Sequence, residues 1–100
     1  MSTINIVVPH KLSQEEATER IKGLLVKLKT EQAELIEEVK EKWDGNIGVF
    51  KFTAKGFQIE GDIQIEPSEV LINAKVPFVV SLFKGKITEV IQREAEKLLV

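Results

Sequence analysis

Apolar residues recur along this chain at two spacings, and the switches between them mark out its elements. Ile4, Ile6 and Val8 alternate with Asn5 and Val7, the period of a strand with one strongly apolar face, and Pro9 ends it. Ser13-Gln-Glu-Glu16 comes next, a capping-box pattern in which the Ser13 hydroxyl accepts from the Glu16 amide and the Glu16 carboxylate reaches back, with Leu12 and Ala17 placed as a hydrophobic staple. From that cap Ala17, Ile21, Leu24, Leu25 and Leu28 recur at helical spacing, with Glu15, Glu19, Arg20, Lys22, Lys27 and Lys29 on the other face. The spacing predicts a helix from Ser13 to about Glu34.

The segment Leu35 to Trp43 fits both periods. Leu35, Val39 and Trp43 would prolong the helical stripe, and its Glu and Lys residues favour helix. Against that, Val39, Glu41 and Trp43 alternate with Lys40 and Lys42, and Asp44-Gly45-Asn46 is a hairpin signal with glycine available for positive φ. The hairpin signal favours a strand, with continued helix as the alternative.

Beyond the turn, Phe50, Phe52 and Ala54 share one face of a strand running from Ile47 to Ala54, and Lys55-Gly56 makes the next turn. Phe57, Ile59, Gly61, Ile63 and Ile65 then point one way, and Gln58, Glu60, Asp62, Gln64 and Glu66 the other, as in a sheet with one wet face. A turn at Glu66-Pro67-Ser68-Glu69 leads to a last strand carrying Val70, Ile72, Ala74 and Val76. Pro77 suits a helix start, and Val80, Phe83, Ile87, Ile91, Ala95 and Leu98 keep the helical period to the end, interrupted at Gly85. The expected fold is α+β: an antiparallel sheet of an N-terminal strand plus a four-stranded meander, with two helices on one face, in the order β-α-β-β-β-β-α.

One hundred residues, 43% apolar and 30% charged, fit a single domain with one modest core. Fourteen basic against 16 acidic side chains give a net charge of −2 with no basic footprint, which argues against a nucleic-acid partner and against anionic membrane surfaces. Absence of cysteine excludes disulfide and thiolate chemistry and suits a reducing compartment. With no basic, apolar leader and no run approaching the ~18 apolar residues of a membrane span, the cytoplasm is the expected location.

Chemistry-bearing residues are sparse. His10, the single imidazole, is the one candidate general base, with Glu15 or Glu16 as partner, and a backbone-bonded or solvated loop histidine is the commoner use of such a residue. Ser13, Ser68 and Ser81 sit in no nucleophile motif, and the acidic residues follow no metal-binding spacing. Gly45, Gly48, Gly56, Gly61 and Gly85 form neither a dinucleotide fingerprint nor a P-loop, so no cofactor is expected. Glu31, Glu34, Glu37, Glu38 and Glu41 make an acidic run diluted by lysines, a pattern commoner in a solvated face than in a basic partner's site. Trp43 fits an aromatic closing one end of the sheet core better than a ligand platform.

Val76-Pro-Phe-Val-Val-Ser-Leu-Phe83 is more informative, because a helix entry carrying Phe78, Val79, Val80, Leu82 and Phe83 is apolar on more than one face. Either sheet and first helix bury all of it, or Phe78, Val79, Leu82 and Phe83 form a contact for an oligomer, lipid or polymer, rimmed by Lys84 and Lys86.

The order and spacing of Pro9-His10-Lys11-Leu12-Ser13 with Glu16-Ala17, Trp43-Asp44-Gly45-Asn46 with Phe50 and Phe52, Gly56-Phe57 with Gly61, and Pro77-Phe78 with Phe83-Lys84-Gly85-Lys86-Ile87 resemble one family over nearly the whole chain. It is that of the small bacterial polyhydroxyalkanoic acid system, or granule-region, proteins. The resemblance implies association with a carbon-storage polymer or its granule proteins and no reaction. It carries over no catalytic residue, and it supports a strand before the Asp44 turn. Three readings follow: a non-enzymatic accessory protein working through hydrophobic surface; a small hydrophobic-ligand binder with an acyl-chain cavity lined by Phe50, Phe52, Phe57 and Phe83; and an enzyme using His10. A homo-oligomer built on the Phe78 to Phe83 patch or on a sheet edge is a further structural expectation.

Overall fold

Residue parity decides the architecture. A computed structural model describes residues 2–31, 33–34 and 36–100. Within them five strands form one antiparallel sheet: β1 (Ser2–Pro9), β2 (Ile36–Asp44), β3 (Ile47–Ala54), β4 (Phe57–Ile65) and β5 (Glu69–Val76), in the spatial order β1-β5-β4-β3-β2. The register sets Ile4 opposite Ala74, Ile6 opposite Ile72, Ile63 opposite Ile72, and Phe52 opposite Ile59. All of these side chains are buried, so one face is apolar from β1 to β3. The other face shows Thr3, Asn5, Glu60, Lys51 and Lys42 and, among the described residues, has no helix on it. The α+β class and the sheet with an N-terminal strand joined to a four-stranded meander are as the alternation predicts.

Helices α1 (Gln14–Ile21), α2 (Leu24–Glu31) and α3 (Lys84–Leu98) cover the apolar face. α3 packs on β1 and α2, α2 also reaches β2, and α1 reaches β4. Ser13 Oγ accepts from the Glu16 amide at 3.1 Å as the capping pattern requires, but the Glu16 carboxylate, expected to reach back to the cap, instead accepts from Arg20 Nε one turn on at 2.9 Å. The helix predicted over Ser13 to Glu34 is broken: α1 stops at Ile21, and α2 restarts from Gly23, whose carbonyl accepts from Lys27 N at 3.0 Å. Glycine is the weakest helix former after proline, and the break leaves Ile21 and the trio Leu24, Leu25 and Leu28 all in the core.

The ambiguous segment resolves as strand from Ile36 to Asp44, while Leu35 lies outside the described residues. A bulge between Glu37 and Lys40, with Glu38 at φ 51°, keeps both Ile36 and Val39 toward the core. The Trp43 indole folds over Gly48, where a Cβ would lie 2.6 Å from the ring. Gly61 marks a close approach of the β4 and β5 backbones, because a Cβ there would run into the Asn73 carbonyl oxygen. Gly85 does not kink a longer helix. A 3-10 turn, Val80–Phe83, precedes α3, and Gly85 falls in the first helical turn with open space around it.

One carboxylate is buried under the helices. Glu94 of α3 is 2% exposed, and Lys27 Nζ of α2 lies 3.2 Å from its Oε2, with Lys97 Nζ 3.4 Å from Oε1. A hydrogen bond from the Glu31 carboxyl, together with Lys27 and Lys97, holds its pKa below the usual carboxylate value against the opposing effect of burial.

Gly61→Ala should lower stability by about 3 kcal/mol, since the sheet must open to admit the methyl group. Gly85→Ala should be neutral or stabilise by up to about 1 kcal/mol; urea midpoints of the two variants check the contrast. Because the pKa of Glu94 is lowered on folding, its contribution is fully present above the unfolded carboxylate range and is lost as pH falls through the folded value. Lys27→Met should therefore be destabilising at neutral pH, by less than the ~3–5 kcal/mol of a fully broken buried pair because Lys97 remains. The deficit should shrink on acidification, as urea denaturation at pH 7 and in acid would show.

Candidate functional site

The N-terminal end of α3 and the β3–β4 turn meet at one corner of the sheet, and the sequence between Val76 and Lys84 determines what that corner looks like. β5 ends at Val76, and Val80 N then donates to the Pro77 carbonyl at 2.9 Å, starting the 3-10 turn. A 3-10 turn repeats every three residues, so it cannot turn all five apolar side chains of this stretch inward. Val80 goes into the core at 5% exposed. Phe78, Val79, Leu82 and Phe83 stay outside at 79%, 54%, 83% and 62% exposed. The two alternatives left by the sequence are thus decided in favour of an exposed apolar patch, with Lys84 and Lys86 on the chain beside it.

Beneath the patch the helical layer does not close onto the sheet. A cavity of about 170 Å³ has Phe52 and Ile59 as its floor and Ile87, Val90 and Ile91 of α3 as its wall. Phe57 and Phe83 stand at its mouth, and Lys55 and Lys86 also line it. Of the four phenylalanines expected around an acyl cavity, Phe52, Phe57 and Phe83 take part. Phe50 does not: it is buried farther along β3, its ring stacked on Phe52 with centroids 5.9 Å apart. Lys55 is held in the left-handed region at φ 50° by the two-residue turn it shares with Gly56, at φ 84°.

The helix-free face carries a larger, open depression of about 560 Å³, bordered by Lys40, Lys42, Lys51 and Lys75 and by Glu60 and Asp62. Lys75 and Lys51 both lie opposite Glu60 across neighbouring strands, while Lys40 lies opposite Lys51. The pairs with Glu60 stabilise a solvated sheet face, the Lys40–Lys51 pair opposes that, and the depression lacks the converging apolar walls of a ligand site.

His10 takes a different part from the one catalysis needs. It is 8% exposed; Leu12 N donates to its Nδ1 at 3.1 Å, which leaves Nε2 to donate to the Glu66 carbonyl at 3.0 Å. Both ring nitrogens are thus taken by backbone groups, while Glu15 and Glu16 are exposed, with Glu16 paired to Arg20. His10 pins the start of the first helical arm to the β4–β5 turn, helped by Gln14 Nε2 donating to the Ile65 carbonyl at 2.7 Å. The acidic residues Glu31, Glu34, Glu37, Glu38 and Glu41 are all exposed. Among the described residues no three His, Cys, Asp or Glu side chains are placed to hold a metal ion, and no helix is long and apolar enough to cross a membrane.

A family model described as "Putative polyhydroxyalkanoic acid system protein" matches residues 4–99. No curated protein and no solved structure matches the chain.

His10→Ala should destabilise by about 1–3 kcal/mol, the cost of leaving the Leu12 amide and the Glu66 carbonyl without their partner. Urea denaturation of the variant measures it.

Proposed function

Taking as premise that the chain belongs to the polyhydroxyalkanoic acid system family, we propose that it is a non-enzymatic accessory protein that adsorbs through the Phe78 to Phe83 patch to the hydrophobic surface of a polyhydroxyalkanoate granule in the bacterial cytoplasm. The observation that carries the reading is that four large apolar side chains within six consecutive residues, Phe78, Val79, Leu82 and Phe83, lie outside while Val80 between them is buried. Singly exposed hydrophobes are ordinary, whereas a contiguous group marks a contact surface. The polar partners that anchor an active site are absent from this corner, where the charged groups are lysines. Adsorption to a polymer asks for apolar area and solubility and nothing more, and α3 supplies the second with Glu89, Arg93 and Glu96 on its exposed side.

A second reading, a binder of small hydrophobic ligands, is favoured by the cavity under the patch. The two make different demands: adsorption uses side chains that point out, and ligand binding uses those that face in.

Phe78→Asp and Leu82→Asp should each reduce adsorption to purified polyhydroxyalkanoate granules at least tenfold without loss of stability, since both side chains are about four-fifths exposed. Sedimentation of protein with granules measures the first and urea denaturation the second. Adsorption equal to that of the unaltered chain sinks the proposal, and so does a monomer–dimer change that accounts for the patch by light scattering.

A further inference from the structure

The cavity beneath the patch has a definite chemical preference. We infer that it is a binding site for a medium-chain carboxylate of about eight carbons, with the tail along the apolar lining formed by Phe57, Phe83 and Ile87 over the buried Phe52 and Ile91, and the carboxylate beside Lys55 and Lys86. The inference supplies the ligand class for the second reading above and is independent of adsorption by the patch.

Size comes first. The volume is about 170 Å³, and an apolar cavity of ~150 Å³ accepts a benzene ring. About six to seven carbons of a flexible chain therefore fit inside, and a ligand of eight carbons brings its head group to the opening. Charge comes second. Every other residue lining the cavity is apolar, and the two charged ones are both cationic. Neither Lys55 nor Lys86 forms an ion pair among the described residues. Two unpaired ammonium groups at the lip of an apolar cavity favour an anionic head and disfavour a cationic one. Position comes third. Lys86 lies in the first turn of α3, where the positive end of the helix dipole adds to the field. Lys55 is set by a turn whose backbone is fixed at positive φ. The attraction is thus built from elements of the fold, and a chain with an acid head is the simplest molecule that answers both the apolar interior and the basic lip.

Titration of the full chain with sodium octanoate, followed by isothermal calorimetry and by the NMR resonances of Phe57 and Phe83, tests the inference. Affinity should rise about fourfold for each methylene from butanoate to octanoate and flatten beyond octanoate, when the cavity is full. Octylammonium should bind at least tenfold more weakly than octanoate. Lys55→Gln with Lys86→Gln should abolish the preference for octanoate over octanol while leaving octanol affinity within about twofold, a change that mere unfolding cannot produce. Ala54→Leu, which fills the cavity from β3, should weaken octanoate at least tenfold. If that variant does not fold, the chain-length and head-group series on the unaltered protein decide. Phe78→Asp should keep octanoate binding, so loss of adsorption and loss of this site are separate results. No saturable octanoate binding, an affinity that ignores chain length, or octylammonium binding as well as octanoate overturns the inference.

Discussion

The apolar face of the five-stranded sheet is the constraint on which the rest of this structure depends. Alternation puts Ile4, Ile6, Val8, Ile59, Ile63, Val70, Ile72 and Phe52 on one side, and none of them is more than 3% exposed. A face of that extent is unfavourable in water at about 25 cal/mol for every square ångström of apolar surface, so it must be covered, and the chain has only its two helical arms to cover it with. The arm after β1 breaks at Gly23 and lays Ile21 and Leu24 on the sheet as two short helices; the arm after β5 supplies Val90, Ile91 and Ala95. Departures from regularity elsewhere serve the same end. The Glu38 bulge keeps Val39 turned in, and Gly61 lets β4 and β5 come close at a point where any side chain would part them.

Three polar side chains of the covered layer fasten one element to another. Glu94 is the clearest instance, a carboxylate of α3 that meets Lys27 of α2 and so fixes how the two arms lie side by side. Burial alone would disfavour its charge; the surrounding ammonium groups and Glu31 reverse that. His10 and Thr18 act at the opposite end. His10 joins the β1–α1 connection to the β4–β5 turn, and Thr18 Oγ1 donates to Asn46 Oδ1 at 3.2 Å, joining α1 to the β2–β3 turn. These are contacts between residues far apart in sequence, and they secure the register of helices over strands that hydrophobic burial, being non-directional, leaves loose.

Much of this was legible in the sequence because it is local. Strand parity, the Ser13 cap, and the Gly45 and Gly56 turns each depend on a few adjacent residues, and the structure has all of them. The break at Gly23 was harder to see, since the apolar stripe from Ala17 to Leu28 runs through it without a change of period, and a lone glycine was its only sign. Glu94 falls between Ile91 and Ala95 on the inward side of α3, yet its partner Lys27 lies on another helix, and no spacing within α3 reports that. The apolar side chains of the candidate site were visible as a run from Phe78 to Phe83. The cavity was not, because its floor, wall and mouth come from β3, β4 and α3, and its volume depends on how far those elements stand apart.

Patch and cavity share one cause. After β5 the chain must turn back over the sheet, and Pro77 with the 3-10 turn delays α3 until Lys84. The tighter turn delivers Val80 alone, leaving its neighbours outside and a space beneath them. Phe83 belongs to both, half out of the surface and half over the mouth. Natural chains keep an apolar side chain in water, and a gap in the core, at a cost in stability. One segment carries both here, while the sheet around it is packed to within a few per cent of full burial, and that local concentration of cost is what the proposed contact would explain.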